Sequence, residues 1–176
     1  MNWRFWRTTP PARPPVVYIH EAVLEPTLCA LQQFRDEHSA HEGVVYWAGK
    51  AHNDEWIATT CIVPEAITTC GSFRTTAASN ARVVALLAAA DLVLLAQVHS
   101  HPGSAVDHSA GDDRDALMPY ENFLSVVVPH YGNTTLWPIQ HCGIHRFEKG
   151  EFHRLTNQEI EIQFRLVPAR LVERPK

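Results

Sequence analysis

Apolar residues fall along the chain in blocks whose spacing changes, and the spacing predicts the elements. Val16-Val17-Tyr18-Ile19 is an unbroken apolar run and reads as a short strand. Over residues 21–38, Val23, Leu24, Leu28, Leu31 and Phe34 recur at helical spacing, and Pro26 can sit in the first turn. Residues 42–49 read as a strand entering a turn at Gly49-Lys50. Residues 55–63, ending before Pro64, read as its hairpin partner. Residues 75–90 form the clearest helix, rich in Leu and Ala, with Thr75, Thr76, Ser79 or Asn80 available as caps. Residues 92–98 are continuously apolar, as expected of a strand buried on both faces. A polar loop over 99–111 follows, and a short helix is expected from about Asp112. Residues 123–128 predict another strand, and 137–147 with 152–155 a closing hairpin around Lys149-Gly150.

Two signals compete in the last segment. Ile160, Ile162, Phe164 and Leu166 alternate, which predicts a strand. Thr156 with Glu159 has capping-box spacing, which predicts a helix. The order α, β, β, α, β, β, β describes an α/β or α+β domain with a mixed sheet between helices. Residues 1–15 end in Pro-Pro-Ala-Arg-Pro-Pro and read as an extended N-terminal segment, leaving 16–176 as one domain. Trp3, Phe5 and Trp6 are unusual for a tail and suit docking on the domain or on a partner.

Composition adds exclusions. A chain of 176 residues with 45% hydrophobic and 19% charged residues suits one soluble globular domain. Net charge is −4 without a clustered basic run, which argues against nucleic acid as a partner. The longest apolar stretch, around residues 83–98, is interrupted by Asp91 and is too short to span a bilayer, so no membrane partner is expected. Cys29, Cys61, Cys70 and Cys142 form no C-x-x-C pair, and residues 1–15 lack a signal-peptide core. Both features point to reduced thiols in a soluble cytoplasmic protein. Cys61 and Cys70 read as small buried hydrophobes, and no cysteine is flanked as an activated nucleophile would be.

The chemistry concentrates in His99-Ser100-His101-Pro102-Gly103-Ser104-Ala105-Val106-Asp107-His108-Ser109-Ala110-Gly111-Asp112-Asp113, directly after the buried strand. Two histidines two apart on a strand project to one face and can converge on one metal ion. Pro102 then ends the ladder. A carboxylate from the following loop can complete three ligands, which leaves a fourth zinc position open, as in catalytic sites. Taken alone, the pair is a weak signal, and a polar loop without metal or a solvated surface loop accounts for it more readily. Both Ser104-x-x-Asp107 and Ser109-x-x-Asp112 follow it. Asp113 and Asp115 read as carboxylates of a helix N-terminus, and Asp107 and His108 as loop residues, with His108 within reach of a substrate. Tyr46, Trp47, Trp56 and Trp137 read as packing residues.

The full string, His-x-His-Pro, six residues and Ser-x-x-Asp, resembles the JAMM motif of the JAB/MPN zinc metallopeptidases, and the order of elements over residues 16–155 loosely fits that family. The short chain is similar to compact standalone prokaryotic JAB proteins. The resemblance implies a mixed sheet sandwiched by helices, of cytidine-deaminase-like architecture. It implies one zinc held by His99, His101 and Asp112, with Ser109 steadying the substrate carbonyl or the oxyanion. It also implies an upstream glutamate before a glycine and an apolar strand. Glu42-Gly43-Val44-Val45 supplies that pattern better than Glu37, Glu55 or Glu65. Glu42 would then carry a proton from the attacking water to the leaving amine. A solvated surface histidine is the expected state of His41.

The implied activity is cleavage after the flexible C-terminal tail of a ubiquitin or ubiquitin-like protein. This would be conjugate removal or precursor processing, possible within a bacterial, antiphage conjugation system with activating and conjugating enzymes as partners. Processing of a sulfur-carrier protein is the alternative substrate class, and a non-catalytic MPN scaffold the alternative kind of protein.

Overall fold

The computed structural model describes residues 13–169. The expected extension over 1–15, with Trp3, Phe5 and Trp6, lies almost wholly outside them. One mixed sheet of eight strands dominates, in the order β10-β1-β3-β2-β6-β7-β8-β9. Its strands are β1 (Val16–His20), β2 (Val44–His52), β3 (Glu55–Ile62), β6 (Val93–Ser100), β7 (Leu124–Val128), β8 (Gly143–Glu148), β9 (Glu151–Arg154) and β10 (Phe164–Val167). A separate two-stranded hairpin is formed by β4 (Ala66–Thr69) and β5 (Ser72–Thr75). The helices are α1 (Leu24–Gln33), α2 (Ala77–Ala90), α3 (Ala110–Asp115) and α4 (Asn157–Gln163).

The sheet is covered on both faces, as the α/β expectation requires. On one face Val45, Trp47 and Val98 pack with Leu31 of α1 and Ile160 of α4. On the other, Val44, Tyr46 and Ala48 pack with Phe73 of β5 and with Val83 and Leu87 of α2. Alternate residues of β2 thus feed opposite cores, the period-2 consequence of a strand buried on both sides. Among the described residues no helix is long and apolar enough to cross a membrane.

Several expected boundaries move. The helix over 21–38 is shorter: a 3-10 turn (Glu21–Val23) leads into α1, which stops at Gln33. The strand expected to turn at Gly49-Lys50 instead continues to His52, through a bulge at Ala48, and turns at Asn53, whose φ is 50°. Asn tolerates that left-handed backbone better than Lys would. Residues 137–142 are not strand: Trp137-Pro138 is a cis peptide, and a 3-10 turn (Ile139–His141) follows. The Lys149-Gly150 turn is as expected, with φ of 53° and 96°. Both signals in the last segment are real. The Thr156/Glu159 capping box starts α4, and β10 follows it immediately to pair with β1. The β4–β5 hairpin occupies a stretch expected to be a loop.

Two glycines allow close approaches that matter for the site. A Cβ on Gly43 would overlap the Phe34 ring at the end of α1. One on Gly143 would overlap the Val106 carbonyl of the loop between β6 and α3.

Candidate metal centre

β2 and β6 run antiparallel in the centre of the sheet, with Val44 opposite His99. The pairing continues past the strand ends. Ser100 N donates to Gly43 O at 3.0 Å, and Gly43 N donates to Ser100 Oγ at 2.9 Å. One step further along this register, Glu42 faces His101. The local folding is therefore simple: an apolar strand ends in His-Ser-His, and a neighbouring apolar strand begins after Glu-Gly.

Asp112 reaches the same point from α3. Ser109 caps that helix, its Oγ accepting from Gly111 N at 3.2 Å and from Asp112 N at 3.3 Å. Its own N–H donates to Asp112 Oδ2 at 2.7 Å. The reciprocal capping box fixes the carboxylate as well as starting the helix. The expected proximity of His99, His101 and Asp112 is thereby realised. His99 Nε2 lies 3.3 Å from His101 Nε2 and 3.3 Å from Asp112 Oδ1, and His101 Nε2 lies 3.4 Å from Asp112 Oδ2. These three residues are the one His/Cys/Asp/Glu group among the described residues with the geometry to hold a metal.

The separation of the two imidazole nitrogens suits two ligands of a tetrahedral zinc, and one oxygen of the Asp112 carboxylate faces each of them. Ligand atoms about 2.0–2.1 Å from the ion lie about 3.3–3.4 Å from one another. The tautomers suit it too. His101 Nδ1 sits 3.1 Å from the Ala105 carbonyl, so that nitrogen carries the proton and Nε2 keeps its lone pair toward the other two ligands. His99 is fully buried, and burial lowers its pKa, which favours the neutral, ligating form. Burial alone would raise Asp112, but the His101 and His99 imidazoles against its two oxygens hold its carboxyl far below the usual range. His101 is shifted upward: burial opposes the charged form, and Asp112 and Glu42 outweigh it. Phe73 packs against the His99 ring, with centroids 5.0 Å apart, and closes that side.

Glu42 is 6% exposed. Its pKa is raised to about 7, first by burial and further by the Asp112 carboxylate, while His101 pulls the other way. A carboxylate so poised suits proton transfer near neutral pH. Its amide donates to Thr69 O in β4 at 2.8 Å, which ties Glu42 to the hairpin.

The alternatives lie elsewhere. Asp107 pairs with Arg154, Glu65 with Arg82, and Glu55 accepts from Tyr18 at 3.2 Å. Three expectations need correction. His108 lies in the loop as expected, but its side chain is not open to substrate. It is largely buried, with Nδ1 2.7 Å from Asp113 Oδ1 and Nε2 2.9 Å from Ser125 Oγ, and it stacks on His145 at a 3.8 Å centroid distance. The Asp–His–Ser order looks like a hydrolytic triad, but Ser125 is 1% exposed and no substrate reaches it. The set instead forms the wall beside His99, whose ring is 5.8 Å from that of His108. Cys70 is exposed at the hairpin turn and not buried. His41 is less solvated than expected: it lies 3.0 Å from Thr68 Oγ1 and 3.1 Å from Asp36 Oδ2. A buried His108 gave no signal in sequence, because its neighbours Asp107 and Ser109 are polar.

A covered mixed sheet with a His₂Asp cluster at the end of its central strand, and a buried glutamate facing it, defines an α/β protein with the parts of a metallohydrolase. The chain belongs to the Prok-JAB family, the prokaryotic homologs of the JAB domain, whose model matches residues 25–140. It is similar to a protein of Sinorhizobium fredii named as a probable metalloprotease, 34% identical over 95 residues, which are 52% of this chain and 58% of the relative. The chain thus spans less than two thirds of that relative's length. The solution structure of protein DSY2949 from Desulfitobacterium hafniense shares the fold, with a TM-score of 0.64 at 15% identity, covering 87% of this chain and 94% of that one. A JAB1/MPN domain protein from Archaeoglobus fulgidus superposes with a TM-score of 0.44 at 15% identity, over 80% and 95% of the two chains.

Proposed function

We propose that this chain is a zinc-dependent peptidase or isopeptidase that cleaves after the C-terminal tail of a ubiquitin-like protein, with residues 16–176 as the working unit. The observation that carries the reading is the cluster of His99, His101 and Asp112, whose two imidazole Nε2 atoms lie 3.3 Å apart and each face one Asp112 oxygen at 3.3 or 3.4 Å, beside the buried Glu42. Membership of the Prok-JAB family and the similarity to a probable metalloprotease support it. The donor set, two imidazoles and one carboxylate, suits zinc.

Zinc held there would supply Lewis acidity toward a substrate carbonyl and make water acidic enough to attack near neutral pH. Glu42 takes a proton from the attacking water and delivers it to the departing amine, which leaves poorly unless protonated. Its burial keeps that proton from exchanging freely with solvent. Ser109 holds the Asp112 carboxylate through its N–H. The Ser109 hydroxyl accepts from two backbone amides, so its own proton remains available to the oxyanion.

The test is cleavage of a fusion between a β-grasp ubiquitin-like protein and a reporter. Wild type is expected to cleave it and to bind about one zinc. Glu42→Ala is expected to keep the zinc and lose cleavage by about 10²–10⁴-fold. Zinc binding without cleavage of any ubiquitin-like tail would overturn the substrate class, and failure to bind metal would overturn the peptidase reading altogether.

A further inference from the structure

The segment after β7 has an unusual backbone. His130, Tyr131 and Gly132 have φ of 57°, 54° and 79°, three left-handed residues in succession. Only the last is a glycine, and side-chain-bearing residues rarely take this conformation, least of all consecutively or with a bulky ring. Such backbone persists where the surroundings over-determine it, and it concentrates at functional sites. Here it is pinned on both sides. His130 N donates to Gly103 O at 3.0 Å and Tyr131 N to His101 O at 2.8 Å, while Gln32 Nε2 donates to Gly132 O at 2.8 Å.

The conformation has one far-reaching product. The Tyr131 hydroxyl donates to the Cys70 carbonyl, at the turn of the β4–β5 hairpin, at 2.7 Å. The adjacent carbonyl, Thr69 O, accepts the Glu42 amide at 2.8 Å. The Gly43–Ser100 pairing joins the residue after Glu42 to the residue before His101. The hydrogen bonds therefore close a ring: His101, Tyr131, Cys70-Thr69, Glu42-Gly43 and Ser100. Glu42 lies near enough to the phenol to help raise its pKa, after burial and Cys70.

We propose that Tyr131 is a positioning residue, whose hydroxyl locks the hairpin turn to the His101 turn and so fixes the Glu42 backbone relative to the metal-ligand pair. Its bearing on catalysis rests on Glu42 as the proton carrier. The hydroxyl acts through main chain, at the Cys70 carbonyl, and bonds to none of the His99, His101 and Asp112 side chains. Without it, the hairpin keeps its own ladder and its His41 anchor, but the ring opens on the Tyr131 side.

The test uses the full chain and two variants, Tyr131→Phe, which removes only the hydroxyl, and Tyr131→Asn, which keeps a residue tolerant of left-handed backbone. The first readout needs neither metal nor substrate: hydrogen exchange of the Glu42 amide, followed by NMR, with the Val126 amide in β7 as the internal control. Tyr131→Phe is expected to speed Glu42 exchange about tenfold, the size expected when a protecting contact worth roughly one factor of ten opens locally, and to leave Val126 unchanged. The second readout, on the fusion that wild type cleaves, is expected to show kcat reduced about tenfold with KM and zinc content unchanged, the pattern of a disturbed transition-state geometry. Unchanged Glu42 exchange in Tyr131→Phe would overturn the tie. Faster exchange with unaltered kcat would overturn the positioning role. Effects confined to Tyr131→Asn would assign the role to the ring and overturn the one given to the hydroxyl. A wild type that cleaves no fusion would overturn the substrate reading and, with it, any effect on catalysis, while the exchange experiment still decides the tie.

Discussion

Ser109 and Asp112 hold each other: the Ser109 N–H donates to Asp112 Oδ2 at 2.7 Å, and the Asp112 N–H donates to Ser109 Oγ at 3.3 Å. A helix cap and the support of the candidate ligand Asp112 are thus the same pair of bonds. Ser109→Ala removes the half that starts the helix and is expected to cost about 0.5–2 kcal/mol of stability. With Asp112 less firmly held, zinc affinity is expected to fall about 10–100-fold. Competition with a chromophoric chelator measures this, and an unchanged affinity would show that the Ser109 N–H alone orients the carboxylate.

A ligand that binds only the folded state stabilises it. At a free zinc concentration 100-fold above Kd the gain is about 2.7 kcal/mol, which for a chain of this size raises Tm by roughly 5–10 °C. Chelation is expected to reverse the shift. Asp112→Ala, lacking the carboxylate that contacts both histidines, is expected to show no response. A zinc-dependent shift that survives in Asp112→Ala would place the metal elsewhere.

His145 gives the fold an acid-sensitive point. It is 3% exposed, its Nδ1 has no hydrogen-bond partner among the described residues, and its pKa is pushed down to about 3 by burial first and then by His108 and Arg154. The unfolded chain protonates this histidine near 6.5, and the folded chain resists until about pH 3. Between those values the unfolded state binds the extra proton, so stability falls as pH drops. Each tenfold difference in proton affinity between the two states is worth about 1.4 kcal/mol at most. Urea midpoints at pH 7 and 4.5, in chelator, are expected to differ less in His145→Phe, which keeps a ring to stack on His108. An identical loss in the variant would move the acid sensitivity to other groups.

Thiol chemistry should divide the four cysteines in two. Cys29 and Cys70 are exposed; Cys61 is half-buried with its pKa raised by burial; Cys142 is buried with its thiol pushed up to about 12. Because the thiolate is the reactive form, a disulfide reagent is expected to modify Cys29 and Cys70 quickly in the native protein and all four after denaturation. Fast native reaction of Cys142 would contradict the packing around β8.

Gly43→Ala is expected to destabilise the protein by about 1–3 kcal/mol, since the added methyl would overlap the Phe34 ring and force a shift. Phe34 ends α1 and Gly43 follows Glu42, so the zinc-bound variant is also expected to lose cleavage. Stability at the wild-type level would show that the ring moves aside freely.

The candidate metal ligands were legible in the sequence because they are nearly contiguous. His99 and His101 end the most apolar strand, and Asp112 follows within one loop. Glu42 is separated from them by more than fifty positions and became visible through its resemblance to a family pattern, the glycine and apolar strand behind it being the local trace. The β4–β5 hairpin was not legible: its strands are four residues each, and Thr68, Thr69, Ser72 and Thr75 give no apolar alternation. The last segment carried two true signals that overlap. Ile160 belongs to α4 and Phe164 to β10, so neither period could win over the whole stretch. The Tyr131 turn was hidden because nothing in Pro-His-Tyr-Gly announces consecutive left-handed residues when two of them carry bulky side chains.

The antiparallel register of Val44 opposite His99 makes the separation between Glu42 and the histidine pair a stepwise quantity. Shifting β2 by one residue against β6 would turn Glu42 to the opposite face and send Val45 and Trp47 into the wrong core. The site cannot loosen gradually by sliding, because every intermediate setting sacrifices two hydrophobic layers at once. Loops around the centre are thus free to lengthen or change composition, while the distance on which the proposed proton transfer depends is inherited from the strand ladder.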